Sequence, residues 1–555
     1  MSSKTIAVLN DNDLKDGQMK EVAFEGEGKV LLSRLGDKIH ATSAFCTHYG
    51  APLAKGVLTA DGRVVCPWHG ACFNVCTGDI EDAPAPTALH SFQAHVSEGK
   101  IYVTADPQST TKANMSRPPK LLSTGSAASA GPGVVIVGGG SGAFHAIEGL
   151  REHGYSGAIT VLSKESYAPI DRTKLSKALV TDPSKLEYRS SAELRQQYGV
   201  TLRTETEVTS VDVKGKSVVV GGAERVAYET LILATGGTPR KLPIDGSNLG
   251  NIFTLRGVQD AKAIDAAVTE GKRLVVIGSS FISMELVVAV QKRNLASIDV
   301  IGMESVPFEP VLGKQVGAAL KKFHESKGVR FHMQSSVARI TPSSSTPSAV
   351  GSVVVKGPSG VEETLLADAL IMGVGAAPAT EYLRASEGID VDRSGAVQVD
   401  EFLRVKGLEG SVYAIGDIAL YPQPGTGELR RIEHWNVAGN HGRAVGKTIA
   451  EGKGQPFVKV PVFWSAQGQQ LRYCGVGAGF DDVIVDGDLE ALKFVVYYLK
   501  ADKVIAVASM QRDPVVSKAS ELLRLGLMPS PTELRAGKDL LSIDISTVAA
   551  KPKVA

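Results

Sequence analysis

Long apolar runs are the first thing this chain lacks. No stretch of its 555 residues approaches the about 18 apolar positions that a membrane helix needs, so nothing is expected to span a bilayer. Cysteine is scarce, five in all; a small, odd number does not suggest a disulfide framework and fits a reducing compartment. Neither charge sign is in excess, since 60 Lys and Arg face 59 Asp and Glu for a formal +1. That leaves no basic footprint for nucleic acid and no acidic tail. The opening Met1-Ser-Ser-Lys-Thr-Ile6 has neither the apolar core of a secretory signal nor the arginines of a transit peptide, so the expected location is cytoplasmic. What is present, 43% hydrophobic and 21% charged residues, is ordinary for a globular protein. The length is too great for one core and calls for about three or four domains.

The few cysteines are placed tellingly. Cys46-Thr-His48 and Cys66-Pro-Trp-His69 are two short pairs, each offering one thiolate and one imidazole. Two cysteines and two histidines are the ligand set of a Rieske 2Fe–2S cluster, in which histidines replace two cysteines on one iron. A structural zinc site also accepts that set, but usually takes its cysteines as one pair and its histidines as the other. The flanks, Cys46-Thr-His48-Tyr49-Gly50 and Cys66-Pro-Trp-His69-Gly70, resemble the two ligand loops of the Rieske ferredoxin family. By that resemblance Cys46 and Cys66 hold one iron and His48 and His69 the other. Respiratory Rieske proteins add a disulfide across the cluster; Ala51 and Trp68 stand where its cysteines would be, so the chain is similar to the ferredoxin and oxygenase type. Cys72 and Cys76 are read as packed or free thiols.

From Asp106 to Gly133 the chain is rich in Ser, Thr, Pro, Ala and Gly and reads as a linker, 106–132. Before it, residues 1–105 show short alternating runs such as Lys29–Leu32 and Lys100–Val103, an all-β pattern. After it, strands alternate with helical patterns, as in parallel α/β sheets.

An apolar strand runs from Gly133 into Gly138-Gly-Gly140-Ser-Gly-Ala143 and then a helical pattern over Ala143–His153. Gly138 permits the tight turn, Gly140 lets backbone approach a pyrophosphate, and Ala143 lets helix and strand pack closely. The helix N-terminus would face the phosphate charge. A second strand, Ala158–Leu162, ends near Glu165, where a ribose-binding carboxylate is expected, with Lys164 beside it. A second copy runs through Gly278-Ser-Ser280-Phe-Ile-Ser283-Met-Glu285, with serines at the second and third glycine positions. After its next strand, Ile298–Ile301, the expected carboxylate is replaced by Gly302; Glu304 follows without an adjacent arginine, so NADH is expected ahead of NADPH. Later, Gly410-Ser-Val-Tyr-Ala-Ile-Gly416-Asp417 delivers an aspartate suited to a polyol chain, or equally to capping a helix. Ala234-Thr235-Gly236-Gly237 and Gly373-Val-Gly375-Ala-Ala-Pro378 each follow another apolar strand.

This order resembles the pyridine-nucleotide-dependent flavoprotein reductases. The resemblance implies an FAD domain at 133–262 and 381–454, an inserted NAD(P)H domain at 263–380, and a C-terminal domain at 455–545. It assigns Gly138, Gly140, Ala143, Glu165, Thr235, Gly236, Gly416 and Asp417 to FAD, and Gly278, Ser280, Ser283 and Glu304 to NAD(P)H. Asp171-Arg172-Thr-Lys-Leu-Ser-Lys177 is similar to a stretch of oxygenase-coupled ferredoxin reductases, in which Arg172 and Lys177 would contact FAD; Thr173 departs from the usual proline, and a solvated basic loop is the alternative. Glu285 matches a glutamate near the nicotinamide. Trp464 matches a tryptophan near the flavin, though a plain core tryptophan would read alike. The flavin-facing Cys-x4-Cys or Cys-x2-Cys pair of disulfide reductases has no match after residue 76, so disulfide reduction is not expected. Leu492–Leu499 and Val504–Met510 read as a hairpin joined by Lys500–Lys503.

Along nearly the whole chain the order is similar to the apoptosis-inducing factor 3-like proteins. The expected architecture is multidomain: an all-β Rieske domain, an α/β flavoprotein reductase with two dinucleotide-binding domains, and a C-terminal α+β domain. The implied chemistry is hydride transfer from NAD(P)H to FAD, then single electrons to the Rieske cluster and onward. The acceptor, an oxygenase, cytochrome, quinone or small molecule, is not readable from these residues. A redox-responsive signalling protein is the alternative. The linker predicts separable modules: a cut within Ser109–Gly131 should leave a reductase that serves the freed Rieske fragment only slowly.

Overall fold

The computed structural model describes residues 2–119, 131–384, 386–408 and 410–546. The first module is all-β, as its alternation implies. Six antiparallel strands run in the order Lys4–Asn10, Lys100–Ala105, Ser91–Ser97, Lys38–Ser43, Lys29–Leu35, Met19–Ala23. Ile101, Val103 and Ala105 alternate inward while Lys100 and Thr104 face out. A second antiparallel sheet, Val57–Leu58, Arg63–Val65, Cys72–Asn74 and Ile80–Asp82, carries the second ligand loop between its middle strands.

Val134–Val137 lies at the centre of a parallel five-stranded sheet in the order Val200–Arg203, Ile159–Leu162, Val134–Val137, Thr230–Leu233, Val412–Ala414. The central strand reads Val-Val-Ile-Val and is wholly buried, as a parallel strand covered on both faces must be. The edge strand Val412–Ala414, paired with Thr230–Leu233, comes from beyond the second nucleotide fold, so that fold is an insertion. Helix α1 (Ser141–Glu152) covers the sheet. The second fold repeats the plan with the parallel order Ile252–Phe253, Ala369–Met372, Arg273–Ile277, Ser297–Ile301, Val329–His332. The boundary expected at residues 262/263 falls inside a helix, Val258–Ala267, and Ile252–Phe253 already pairs into the second sheet. A two-residue strand is too short to read from periodicity.

The order continues with helices α2 (Thr173–Ala178) and α3 (Phe281–Val290), and with α4 (Trp435–Glu451), which lies against α1. The C-terminal domain is a five-stranded antiparallel sheet with helix α5 (Val515–Leu525) against it. Its hairpin is Lys493–Lys500 and Lys503–Met510; the turn is shorter than expected, with Ala501 and Asp502 both at positive φ (48° and 58°). Two left-handed residues match the twist of the flanking strands.

The picture of a tethered, separable first module needs correction. Val57, Val65 and Cys72 share one apolar cluster with Cys474, Val495, Tyr497, Val507 and Val515 of the C-terminal domain. Polar clamps surround it: Ala83 N–H donates to Asn440 Oδ1 at 2.7 Å, Arg443 to the Ile80 carbonyl at 3.1 Å, and Arg189 to the Pro86 carbonyl at 3.1 Å. Arg63 and Lys459 both pair with Asp82, and Arg63 reaches Glu521 at 3.5 Å. The expected linker is not a free tether either. Arg117 donates to the Thr77 carbonyl at 2.8 Å and to Asp79 at 2.5 Å, pinning its first part to the β module, while residues 120–130 lie outside the described residues. Among the described residues no helix is long and apolar enough to cross a membrane.

Candidate functional site

A cavity of about 1220 Å³ opens between the two nucleotide folds, with the C-terminal sheet closing one side. Gly138 sits at φ 114°, and a Cβ there would lie 2.3 Å from the Ala234 carbonyl oxygen, so the turn after the first strand demands glycine. At Gly140 a Cβ would meet nothing within 4 Å, leaving the backbone open to a ligand. Gly278 repeats the device at φ 98°, with its Cβ position 2.2 Å from the Gly373 carbonyl. Ala143 is fully buried at the start of α1.

Glu165 lines the cavity, yet its oxygens accept from Arg172 Nη2, both at 2.8 Å, and from Tyr167 at 2.9 Å. Two residues expected to act separately therefore meet as one pair. Asp417 accepts from Arg256 Nη2 at 3.4 Å, and Thr235 donates to the Ala379 carbonyl at 2.8 Å. Gly236 and Gly416, at φ 71° and 69°, bring backbone to the same wall. Arg256, Trp435 and Asn436 also line it and carry no readable signal in the sequence. Buried Ser283 Oγ and Asn436 Oδ1 have no protein partner. An open glycine backbone, a helix N-terminus and unsatisfied polar atoms fit a dinucleotide.

Glu285, 4% exposed on α3, is the point where three elements meet. It accepts from Ser176 and, at 3.0 Å, Lys177 of α2, and from Ser465 of the C-terminal sheet at 2.7 Å. Ser280 and Ser283 flank the same cavity. Glu304 does not line it; it accepts from Ser279 at 3.5 Å, beside the Gly278 turn.

The two ligand loops have the same build. Each closes on itself, Cys46 N–H to the Ala51 carbonyl at 2.8 Å and Cys66 N–H to the Ala71 carbonyl at 2.7 Å. Each turns through a left-handed glycine, Gly50 or Gly70. His48 Nδ1 and His69 Nδ1 converge to 3.1 Å. Burial lowers both imidazoles, His48 to about 4, so both stay neutral, the form that offers a lone pair to a metal. Burial raises the Cys46 thiol, whereas at Cys66 burial is outweighed by the hydrogen bond from Cys46 and by the backbone N–H groups of Trp68 and His69, which lower it. One sulfur pair and one imidazole pair fit a two-iron cluster. Cys72 is buried in the shared core, and Cys76 is exposed with its sulfur 3.6 Å from His40 Nε2.

The tertiary structure then joins the two sites. Trp464 lines the cavity, and its ring centroid lies 4.4 Å from that of His69 and 5.5 Å from that of His48. Asn436 of α4 donates to the His69 carbonyl at 3.0 Å, and Ser517 of α5 to the Cys66 carbonyl at 2.8 Å.

Family models match in three places: a Rieske [2Fe-2S] domain over residues 4–93, pyridine nucleotide-disulphide oxidoreductase over 132–442, and reductase C-terminal over 462–542. The human protein named apoptosis-inducing factor 3 is 40% identical over 523 residues, covering 94% of this chain and 84% of its own length. Rhodocoxin reductase of Rhodococcus erythropolis is 31% identical over 76% of this chain and 95% of its own. A ferredoxin reductase structure from Rhodopseudomonas palustris superposes with a TM-score of 0.67 at 27% identity, over 75% of this chain and 99% of that one. The reductase-containing structure of a covalent putidaredoxin reductase–putidaredoxin complex gives 0.65 at 28% identity, over 70% and 92%. The protein is thus an NAD(P)H-dependent oxidoreductase that uses FAD and a Rieske 2Fe–2S cluster, and it belongs to the pyridine nucleotide-disulphide oxidoreductase family, among its apoptosis-inducing factor 3-like members.

Proposed function

We propose that this protein passes electrons from NADH through FAD to its own Rieske cluster, and from there to a separate one-electron acceptor in the cytoplasm. FAD, when bound, supplies the conversion of a two-electron donor into single-electron steps. The chain's own residues do the rest. The Gly138–Gly140 turn and the α1 N-terminus bind the pyrophosphate, and the Asp417 carboxylate takes the polyol. Glu285, held by Ser176, Lys177 and Ser465, positions Lys177 at the reacting end and keeps its charge from needing water. Glu304, three residues past Ser297–Ile301 and beside the Gly278 turn, favours a ribose hydroxyl over a phosphate, and so NADH. Trp464 fills the space between the cavity and His69, excluding water where the electron crosses.

The single observation behind this reading is that one tryptophan lines the cavity and packs on a cluster histidine. Several relatives are named for reducing separate carriers, rubredoxin and rhodocoxin. Here the fused Rieske domain takes the carrier's place, and the final acceptor is an oxygenase, cytochrome, quinone or small molecule. The test is rapid mixing with NADH while flavin and cluster bands are followed separately. In Trp464→Ala the flavin should bleach at the normal rate while the cluster lags by roughly tenfold, about 1.4 kcal/mol in barrier. Equal lag-free cluster reduction in wild type and variant would sink the Trp464 route; a cluster that NADH never reduces would sink the whole reading.

A further inference from the structure

Both cluster histidines contact Trp464 and Tyr49, but each lies closest to a different one of the two. His69 is 6% exposed and packs against Trp464, on the flavin side. His48 is stacked on Tyr49, ring centroids 3.8 Å apart and planes 16° from parallel. Tyr49 is 38% exposed, so this stack runs from the ligand ring to solvent. Its hydroxyl donates to Asp171 Oδ2 at 2.5 Å, which fixes the ring's direction from a buried carboxylate on the reductase side. One lysine borders the ring and a second borders its loop. Lys174 Nζ lies 5.1 Å from the Tyr49 centroid, and the Lys112 side chain crosses the ligand loop, its Cε 2.5 Å from where a Gly50 Cβ would stand. Lys174 is within 3.6 Å of Asp171, while Lys112 Nζ lies 5.4 Å from the Phe45 ring centroid, next to the ligand loop.

We infer that Tyr49, flanked by Lys112 and Lys174, is the exit from the cluster and the docking surface for an acidic electron-carrier protein. The inference rests on the proposed passage of electrons through the cluster. The shared apolar core beneath Val57 and Val65 holds the module in place, so the acceptor comes to the cluster. The flavin-side histidine is covered, which leaves the His48–Tyr49 stack as the exposed aromatic edge. Lysines around an exposed ring attract carboxylates and raise encounter rates at low salt. The step balances simply: one electron leaves the iron pair and one reduces the carrier. Two transfers complete NADH + 2 carrier(ox) → NAD⁺ + H⁺ + 2 carrier(red).

The test uses plant plastocyanin as an acidic probe and cytochrome c as a basic one, with full-length holoprotein. The cluster is reduced chemically beforehand, so the outcome does not depend on the flavin-to-cluster step. Wild type should reduce plastocyanin at a rate that falls roughly tenfold as salt rises from low to physiological strength. Lys112→Glu and Lys174→Glu should each slow it several-fold and speed cytochrome c, with the cluster's electron paramagnetic resonance spectrum unchanged. Tyr49→Phe should retain the transfer, and Tyr49→Ala should slow it to both probes. A second readout does not involve turnover: oxidised plastocyanin should protect Lys112 and Lys174 from an amine-labelling reagent. Unprotected lysines, charge variants that leave the plastocyanin rate unchanged, or a Tyr49→Ala as fast as wild type would each overturn the inference. Normal transfer to plastocyanin from a cluster that NADH fails to reduce would overturn the proposed function and leave the exit standing.

Discussion

Glu148 on α1 is 2% exposed, and burial raises its carboxyl to about 7 against the pull of Arg189 at 3.4 Å. A raised carboxyl binds its proton more tightly in the folded state than in the unfolded one. Its contribution is therefore full below about 4.5 and is lost as pH rises through about 7. Across that window wild type should lose about 3 kcal/mol relative to Glu148→Gln, which has no proton to give up. Urea midpoints of both proteins at pH 5 and pH 8 measure it; parallel pH profiles would contradict it. Glu285 raises a different matter. Glu285→Ala leaves Lys177 without its counter-charge, and the lysine keeps 21% of its side chain in water. The expected cost is about 3 kcal/mol, the low end for a broken buried pair, together with slower flavin bleaching by NADH. Urea unfolding and stopped-flow absorbance read the two effects independently.

Helices α1 and α4 approach so closely that backbone touches backbone. A Cβ on Gly442 would lie 2.2 Å from the Gly142 carbonyl oxygen, and one on Gly446 2.7 Å from that of Ala146. Because α1 opens at the pyrophosphate turn and α4 opens at the opposite cavity wall, spreading them misplaces both ends of the cofactor site. Gly442→Val should cost about 1–3 kcal/mol from overpacking and lower the FAD content of purified protein, read from its visible absorbance. A variant of full stability and full flavin content would show that the contact has slack. The ligand loops show the same economy, since a Cβ on Gly70 would meet Val462 Cγ1 at 3.0 Å. That contact presses the second loop onto the strand that carries Trp464.

At the scale of the molecule, the first module behaves as part of the reductase. A protease site engineered between residues 119 and 131 should give two fragments that still co-elute and still pass electrons from flavin to cluster at the intact rate. Burial works against the Asp82 charge, but Arg63 and Lys459 hold its carboxyl well below the usual range. A depressed carboxyl contributes fully above its unfolded value near 4 and loses that contribution only as pH falls through its folded value. The nicked complex should thus persist at pH 4.5 as at pH 7. Asp82→Asn leaves Arg63 and Lys459 facing an uncharged partner and should loosen it at both. Size-exclusion chromatography decides; separation of the wild-type fragments at pH 7 would restore the tethered picture.

The sequence by itself determined what depends on near neighbours along the chain. Cys46 with His48, Cys66 with His69, and the turns at Gly138 and Gly278 are short-range constraints, and short-range constraints leave a spacing that can be read. So do the alternating run at Lys100–Ala105 and the apolar strand Val134–Val137. The tertiary structure alone decided what depends on elements far apart in the chain. Trp464 against His69, Glu285 gathering Ser176, Lys177 and Ser465, and Val57 sharing a core with Val507 join residues whose local sequences carry no record of one another. A buried tryptophan, a paired glutamate and a two-residue strand look the same in sequence wherever they pack. Only the closing of one surface on another makes the first a bridge, the second a hub and the third an interface.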